Sequence, residues 1–469
     1  VIVEYFLFFN NFFVIFIFTI IMDFYCSLKD ATEVKECYQG HGFAAIHIGQ
    51  PIGKRIAIRK CGFGTFSTAW LCYNIPRKQF TVLKILKADC APDLVSAELR
   101  MIKRIQAELR VHSGERGSER ILEVFHNGRL HTDYRNDFSF DEYGPRNSTH
   151  YFLESEAMGG TLRCLMKMSP IQKLSVASSW KILNQVFEGV AFLYERGLIH
   201  CDLKPENVLF SMKDQDAARI IRDMMDSRYK PGPYGSAYDR FSPRNPYRLD
   251  DIFSQLLRIL PEPENGSFDL DEFIANPFFN VKITDLGTVV KSRADVSYEL
   301  GTFPYRPPES LLQCPITPGF DIWSMGIIAY ELVTGKVPIN FSRDAITEMT
   351  EIEMKLGQLY GLARTLGVPD GRMYACSVYR DYFFYESGKL KPNKWFTFTI
   401  DGAIIFFPSP DVRPIPQEQL PMRNYKIDDL LRNIDGMTKD YIQLVETCLK
   451  YRVGSRPSAG KILQKFFHV

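Results

Sequence analysis

Three side chains within one short segment of this chain could together transfer a phosphoryl group. Residues 199–210 read IHCDLKPENVLF and place Asp202, Lys204 and Asn207 in an apolar frame. The Asp202 carboxylate could orient a substrate hydroxyl and take its proton. Lys204 could neutralise charge on the migrating group, and the Asn207 amide oxygen suits a magnesium ion. The segment therefore predicts a catalytic loop.

A second carboxylate of the same kind lies further along the chain. Asp285 follows a short apolar stretch in residues 282–287, which read KITDLG. Carboxylate oxygens are preferred magnesium ligands, so Asp285 is a second candidate for metal binding. Leu286 places an apolar side chain behind the carboxylate.

A glycine-rich turn could contact phosphates. Gly62 and Gly64 lie between the strand-like residues 55–60 and 69–73, and Ser67 follows them. Glycines let backbone amides approach anionic oxygens closely. An ordinary hairpin turn is the alternative interpretation of this pattern.

One lysine interrupts an apolar strand. Lys84 lies within residues 80–86, which read FTVLKIL, where an unpaired charge would be costly. Glu98 follows at the edge of the apolar face of a predicted helix, residues 94–102.

The order of these segments resembles that of eukaryotic protein kinases. The resemblance implies that Lys84, held by Glu98, contacts the α- and β-phosphates of ATP. It also implies that Asn207 and Asp285 bind Mg²⁺. For the lysine and the glutamate, a surface salt bridge on an amphipathic helix is the alternative.

Residues 301–309, which read GTFPYRPPE, resemble the end of a kinase activation segment. The resemblance implies that Thr302 contacts Asp202 and Lys204, which favours Ser or Thr over Tyr as the acceptor. It also implies structural roles, in which Glu309 pairs with Arg456 and Asp321 supports the catalytic loop.

Within the kinases, the chain resembles the SR-protein kinases. A spacer at residues 211–280 separates the catalytic loop from the DLG motif at 285–287. The family's N-terminal signature is matched by residues 37–49, and its GWGHFSTVWL by residues 62–71. Residues 147–150 and 383–388 resemble features of the divergent fungal branch.

The resemblance also implies where ATP binds. The implied ATP-binding residues are Cys61, Gly62, Gly64, Ser67, Ala69, Lys84, Glu98, Glu156 and Met158. Ser155 falls at the position that limits the depth of the adenine pocket, and an alignment shifted by one residue would place Glu154 there instead. Arg306 matches an arginine shared with cyclin-dependent, MAP and SR-protein kinases.

Two features of the chain depart from the family pattern. Cys201 replaces an arginine that grips a phosphorylated activation loop, so we expect activity without such phosphorylation. A reactive thiol and a buried inert one are both open for Cys201. Gly357 and Arg364 stand where docking carboxylates for Arg-Ser repeats are expected; Asp344, Glu348, Glu351 and Glu353 could replace them or form a solvated helix face.

Composition fits an intracellular enzyme of two lobes. The chain has 469 residues, a net charge of +2 and ten cysteines without disulfide-like spacing. No block of like charge indicates nucleic-acid binding. Residues 1–22 are apolar and long enough for one membrane span, but polar interruptions favour an artefact of the sequence record.

Periodicity predicts where the helices lie. Helical patterns cover residues 170–196, 321–334, 345–366 and 438–451, and shorter ones cover 250–260 and 268–279. Residues 227–246 lack an apolar period and predict a loop, as do residues 132–148.

Together these patterns predict an α+β, bilobal protein-kinase fold. We expect an N-terminal extension at residues 1–36, a β-rich small lobe at 37–158 and a helical large lobe at 159–469. The predicted activity is transfer of the ATP γ-phosphate to Ser or Thr of proteins, with Arg-Ser-rich proteins as candidate substrates. Asp202, Lys204 and Thr302 form the predicted catalytic set. The protein is predicted to act as a monomer in the cytoplasm or the nucleus and to use ATP and Mg²⁺. A pseudokinase scaffold and a membrane-anchored kinase are the alternatives.

Overall fold

The computed structural model groups the chain into two compact units. It describes residues 42–44, 46, 50–64, 66–88, 90, 92–133, 147–211, 269–292, 300–338, 351–377, 379–391, 396–400, 403–407 and 427–468. Among these, the first unit holds the residues up to Ala107 together with Leu122–Gly159. The second holds Glu108–Ile121, Gly160–Ser211 and the residues from 269 onward.

A six-stranded antiparallel sheet forms the first unit, in the order β1-β2-β3-β4-β6-β5. The strands are β1 (Pro51–Ile52), β2 (Arg55–Phe63), β3 (Ser67–Asn74), β4 (Gln79–Leu86), β5 (Val124–Asp133) and β6 (Asn147–Glu156). Helix α1 (Pro92–Val111) connects β4 to β5. The three strands predicted before residue 90 are confirmed, as is the helix around Glu98.

One face of this sheet is an apolar core. Side chains alternate between the faces of a strand, so Trp70 and Cys72 of β3 share a face with Leu83 of β4. Ala44 and Ile46 belong to the same buried cluster. The segment before β1 therefore contributes to the core of the first unit.

An ion pair is buried on that same face. Glu154 of β6 is only 1% exposed, and it binds the Arg55 guanidinium and accepts a hydrogen bond from Asn74 Nδ2 at 2.7 Å. Burial opposes ionisation, yet these two hydrogen bonds outweigh it and hold the pKa of Glu154 below its ordinary value. Glu154 is thus occupied in a structural ion pair.

The second unit is mainly helical. Its elements are β7 (Gly160–Thr161), α2 (Leu162–Met168), α3 (Val176–Glu195), β8 (Leu198–Ile199), β9 (Val208–Phe210), α4 (Leu270–Ala275), β10 (Val281–Ile283), β11 (Val290–Lys291), α5 (Pro308–Leu311), α6 (Gly319–Thr334), α7 (Glu351–Leu366), α8 (Arg380–Phe383), β12 (Phe396–Ile400), β13 (Ala403–Phe407), α9 (Ile427–Leu431), α10 (Lys439–Cys448) and α11 (Ala459–Phe466). Helix α6 is apolar on every side and almost wholly buried, and it packs against α3 and α10.

The predicted helix at residues 170–196 begins later than expected. Ser175 is the N-cap, and its hydroxyl accepts a hydrogen bond from the Ser178 amide at 3.1 Å. The residues before it cannot continue the helix, because Gln172 adopts a left-handed φ of 53°. The prediction was therefore wrong at its start and confirmed from Val176 onward.

The end of the spacer forms the helix α4 within the predicted residues 268–279, and it docks on α3. Ser175 and Ser178 donate hydrogen bonds to Asp271, each at 2.6 Å. Phe273 and Phe279 contact each other and the ring of Phe210 on β9. The returning chain is thereby anchored before β10 pairs with β9.

A buried ion pair joins α5 to the C-terminal region. Arg456 donates to both carboxylate oxygens of Glu309, at 2.6 and 2.9 Å, and both side chains are almost fully buried. The bidentate geometry is the strong form of this interaction. The pairing inferred from the resemblance is present.

Several predictions lie outside the described residues. These are the N-terminal extension at 1–36, the loop at 227–246, the helix at 250–260 and most of the loop at 132–148. Within the part of the chain that the structure describes, no helix is both long and apolar enough to cross a membrane. The lobe boundaries stay a prediction, although Glu108–Ile121 groups with the helical unit, where Arg116 and Arg120 bind Glu188.

We predict that Glu154→Gln lowers the stability of the protein at neutral pH. The Arg55 guanidinium would lose its buried counter-charge, at a cost of about 3 kcal/mol. Because the pKa of Glu154 is lowered by folding, its contribution is present above the ordinary value of 4.5 and is lost as the pH falls through the lowered value. Thermal unfolding followed by circular dichroism between about pH 7 and pH 3 should show the difference from wild type shrinking.

The matched control is Glu195→Gln, which alters a glutamate that is 66% exposed. Its unfolding midpoint should stay within one degree or so of wild type at neutral pH, since exposed pairs contribute little. An equal loss of stability in both variants would contradict the assignment of the Glu154 pair.

Candidate active site

The predicted catalytic loop is held between two short strands of the second unit. It leaves β8, passes Cys201 with a left-handed φ of 66°, and forms a 3₁₀ turn at Pro205–Asn207 before entering β9. β8 pairs with β11 and β9 pairs with β10. Both ends of the loop are therefore fixed by backbone hydrogen bonds.

Asp202 is surrounded by hydrogen-bond donors. Its Oδ1 accepts from the Thr302 amide at 2.8 Å and from the Thr302 hydroxyl at 2.7 Å. Its Oδ2 accepts from Asn207 Nδ2 at 3.0 Å and lies 3.3 Å from Lys204 Nζ. These contacts fix the orientation of the carboxylate.

Lys204 completes the cluster through the same threonine. Its ammonium donates to the Thr302 hydroxyl at 2.7 Å, so Thr302 joins the lysine to Asp202. A hydroxyl can accept one hydrogen bond and donate another, which makes threonine suited to this position. The structure thus brings together the three predicted catalytic residues.

A backbone hydrogen bond joins the two segments that carry the candidate metal ligands. The Thr284 amide donates to the Asn207 carbonyl at 2.9 Å, which places Asp285 next to Asn207. Asn207 Nδ2 donates to the backbone carbonyl and the carboxylate of Asp202, so its side-chain oxygen is the group left for a cation. A carboxamide oxygen and a carboxylate fit Mg²⁺, which takes few protein ligands and completes its shell with phosphates and water.

The described residues hold no group of three or more His, Cys, Asp or Glu side chains arranged to bind a metal by themselves. Asp285 adopts a left-handed φ of 58°, at the start of a 3₁₀ turn. Such a backbone is rare outside glycine and is typical of functional positions.

Asp321 of α6 binds the backbone at the start of the catalytic loop. Its carboxylate accepts the amides of His200 at 2.7 Å and Cys201 at 2.9 Å. Burial raises the pKa of Asp321, while the hydrogen bonds from the His200 and Cys201 amides favour its charged form. The support inferred from the resemblance is present.

His200 also connects the two chemical segments. Its Nε2 lies 2.8 Å from the Thr284 carbonyl, and its Nδ1 accepts the Asp202 amide at 3.2 Å. These partners assign a neutral imidazole with the proton on Nε2. His200 therefore holds the segment before Asp285 against the segment before Asp202.

Cys201 has the environment of an inert thiol. Its side chain is fully buried, and burial together with the charges of Asp321 and Asp202 raises the pKa of the thiol well above its usual range. A protonated, inaccessible thiol is a poor nucleophile. The geometry favours the second of the two interpretations left open by the sequence.

Sequence reasoning missed a charged network beside the loop. Arg163 of α2 donates to Glu206 and to Glu331, each at 2.7 Å, and to the Tyr305 hydroxyl at 2.9 Å. The Tyr305 hydroxyl in turn donates to Glu331 at 2.7 Å. One signal was available, because Glu331, like Asp321, is a charged residue in a helix whose other residues are mainly apolar.

Burial raises the pKa of Glu331, although Arg163 counteracts it. For Glu206 the balance is opposite: burial opposes ionisation, but Arg163 and Lys204 lower the pKa. The network thus ties the catalytic loop, the activation segment and α6 through one guanidinium.

In the first unit, register aligns part of the predicted ATP-binding set. Gly62 of β2 pairs with Ala69 of β3, Ala69 pairs with Lys84 of β4, and Lys84 pairs with Leu153 of β6. Side chains at paired positions share a face. Lys84 Nζ lies 3.6 Å from Glu98 Oε1, so the predicted partner of the lysine is present.

The glycine-rich turn is closed by one backbone hydrogen bond, from the Gly64 amide to the Ser67 carbonyl at 2.8 Å. A Cβ added at Gly62 or Gly64 would meet no atom within 4 Å. Cys61 of β2 is exposed.

The sheet register distinguishes Ser155 from Glu154 as the residue that limits the depth of the adenine pocket. Ser155 pairs with Val82, two residues from Lys84, so Ser155 lies on the lysine face. Glu154 lies on the opposite face, in the buried ion pair. This favours Ser155, and Glu156 and Met158 follow it in half-buried positions.

Helix α7 contacts the end of the activation segment. Gln358 is fully buried, and its Nε2 donates to the Phe303 carbonyl at 2.5 Å. Gly357 is buried too, so it could not present a docking group. Asp344 and Glu348 lie outside the described residues, and the side chains of Glu351, Glu353 and Arg364 are likewise not described.

The sequence matches the protein kinase domain family over residues 56–223 and 271–468, on either side of the spacer. Protein kinase dsk1 of Schizosaccharomyces pombe is 26% identical over 376 residues, which cover 66% of each chain. The serine/threonine-protein kinase SKY1 of Saccharomyces cerevisiae is 24% identical over 207 residues, 43% of this chain and 26% of SKY1.

Human SRSF protein kinase 3 is 27% identical over 208 residues, 44% of this chain and 34% of that kinase. The aligned region spans no more than 66% of the length of any of these three relatives. The family match and these relatives confirm the predicted α+β kinase fold and the resemblance to SR-protein kinases. Because the family match covers well over half of the residues of this chain, the chain belongs to the protein kinase domain family.

Proposed function

We propose that this protein is a serine/threonine protein kinase that transfers the γ-phosphate of ATP to hydroxyl groups of proteins. The observation that carries the proposal is the hydrogen-bonded cluster of Asp202, Lys204 and Thr302. Kinase family membership supports it. The inactive-scaffold alternative gains no support from the relatives, whose names are those of kinases.

In the proposed reaction, Asp202 orients the acceptor hydroxyl and receives its proton. Lys204 neutralises negative charge on the phosphoryl group as it moves. Both groups are held in place before substrate arrives, because Thr302 and Asn207 already bind the carboxylate. Barrier lowering then comes from positioning and charge stabilisation.

Asn207 and Asp285 would hold Mg²⁺, which neutralises phosphate charge when bound. Lys84, paired with Glu98, would position the α- and β-phosphates. The backbone groups of Glu156 and Met158 would contact the adenine. The remaining residues proposed to line the ATP site are Cys61, Gly62, Gly64, Ser67 and Ala69.

The finer substrate class rests on relatives. SRSF protein kinase 3 is named for SRSF proteins, and the spacer and signature segments resemble SR-protein kinases. We therefore propose Arg-Ser-rich proteins as substrates. We also propose that the protein acts as a monomer in the cytoplasm or nucleus and does not contact nucleic acid directly.

We predict that Asp202→Asn reduces phosphoryl transfer to Ser/Thr peptides by about 10²–10⁴-fold, because the general base is removed. The assay follows label from γ-labelled ATP into peptide. Asp381→Asn is the matched control, since Asp381 is 84% exposed and lies on α8. Equal turnover by wild type and Asp202→Asn would refute the proposed chemistry.

A second experiment addresses substrate class separately. Peptides containing Arg-Ser repeats, Ser-Pro motifs or dispersed basic residues should be compared at equal concentration. We expect the Arg-Ser peptide to give the highest kcat/KM, by about tenfold, which corresponds to roughly 1.4 kcal/mol of additional transition-state binding. A higher value for another peptide would exclude the Arg-Ser assignment and leave the kinase assignment intact.

A further inference from the structure

An acidic cluster beside the catalytic loop is filled by an arginine of this chain. Arg163 lies in the first turn of α2, and its three side-chain nitrogens donate to three different side chains. Its Nε donates to Glu206 and its Nη1 to Glu331, each at 2.7 Å, and its Nη2 donates to the Tyr305 hydroxyl at 2.9 Å. Each nitrogen of the guanidinium therefore has an acceptor.

Two of these acceptors lie on the segments that hold Asp202. Glu206 is in the 3₁₀ turn of the catalytic loop, four positions after Asp202. Tyr305 lies three positions after Thr302, whose hydroxyl binds the Asp202 carboxylate. Four residues of chain span at most about 14 Å, which an extended peptide covers in about four residues. A peptide whose hydroxyl meets Asp202 can therefore reach the cluster with a side chain a few residues from the acceptor.

The solvent-facing part of the cluster is the pair of Arg163 and Glu206. Their side chains are 24% and 34% exposed, whereas the Glu331 side chain, on the buried helix α6, is only 4% exposed. A cation from solution could thus meet Glu206 without unfolding the protein if Arg163 did not already bind it.

The cluster has the chemistry of a binding site for a guanidinium. Two carboxylates face a single cation, and carboxylate–guanidinium hydrogen bonds are strong and directional. Burial opposes ionisation of Glu206, but Arg163 and Lys204 lower its pKa, so this carboxylate is charged at neutral pH. Without Arg163 it would need another cation. An arginine of a peptide substrate carries the same donors in the same plane and is always charged.

We propose that Arg163 closes an acidic subsite that would otherwise bind an arginine of the protein substrate near the acceptor hydroxyl. The proposal rests on the proposed kinase function. With Arg163 in place, Glu206 and Glu331 do not select a basic residue of the substrate, and selection of Arg-Ser proteins comes from other parts of the chain. Arg163 is thus a specificity-determining residue, and its removal opens the subsite.

Peptide selectivity tests the proposal. Acceptor peptides carry one arginine at each position in turn on either side of the serine, and a matched set carries citrulline, which is uncharged. Relative to wild type, Arg163→Ala should raise the ratio of kcat/KM for arginine over citrulline by about tenfold at one position. Arg163→Lys, which retains a cation, should not show this increase. Arg163→Ala combined with Glu206→Gln should lose it, because one carboxylate of the subsite is then neutral.

A second measurement requires no turnover. Guanidinium chloride at millimolar concentration should fill the vacated site of Arg163→Ala and raise its unfolding midpoint by about 2 °C relative to sodium chloride at equal ionic strength. The midpoint of wild type should not rise, since its site is filled. The matched control Arg432→Ala removes an arginine side chain that is 66% exposed, and it should show neither effect. If Arg163→Ala does not fold, Arg163→Gln takes its place in both experiments.

Two results would overturn the proposal. One is an equal ratio of arginine to citrulline turnover in wild type and Arg163→Ala at every position, and the other is no stabilisation of Arg163→Ala by guanidinium. Either result leaves the kinase assignment intact when wild type transfers phosphate. Absence of phosphate transfer by wild type would instead refute the proposed function, and with it the subsite.

Discussion

The candidate active site depends on the hydrogen bonds between the Asp321 carboxylate and the backbone of the catalytic loop. A buried carboxylate that accepts two consecutive amides fixes the backbone at His200 and Cys201. That backbone includes a left-handed residue at Cys201, which a free loop would seldom adopt. Because helix α6 carries Asp321 and is buried on all sides, the support is as rigid as the core itself.

The orientation of Asp202 follows from this support. Its amide binds His200 Nδ1, and its two carboxylate oxygens meet Thr302, Asn207 and Lys204. A charged group with little exposure needs such partners, because they offset the cost of removing it from water. The same contacts join the catalytic loop to Thr302, about a hundred positions further along the chain, so the site exists only when the second unit is folded.

Charge is used elsewhere in the molecule for structure. Glu154 with Arg55, Glu309 with Arg456, and Arg163 with Glu206 and Glu331 are buried or half-buried pairs. Each joins residues that are distant in the chain, and carboxylate–guanidinium geometry makes these contacts directional. The Arg163 network also lies between α2 and α6, where it contacts the activation segment through Tyr305.

The sequence by itself determined the chemistry of the site. Fixed spacing within residues 199–210 identified Asp202, Lys204 and Asn207, because local motifs survive in the linear order, and a lone lysine in an apolar strand signalled a need for a partner such as Glu98. Tertiary structure alone decided what is non-local. It placed Glu154 on the face opposite Lys84, assigned the tautomer of His200, buried Cys201, and brought Arg163 to Glu206 and Glu331. Those outcomes depend on strand register and on chain segments that meet only after folding, and no short-range pattern records them.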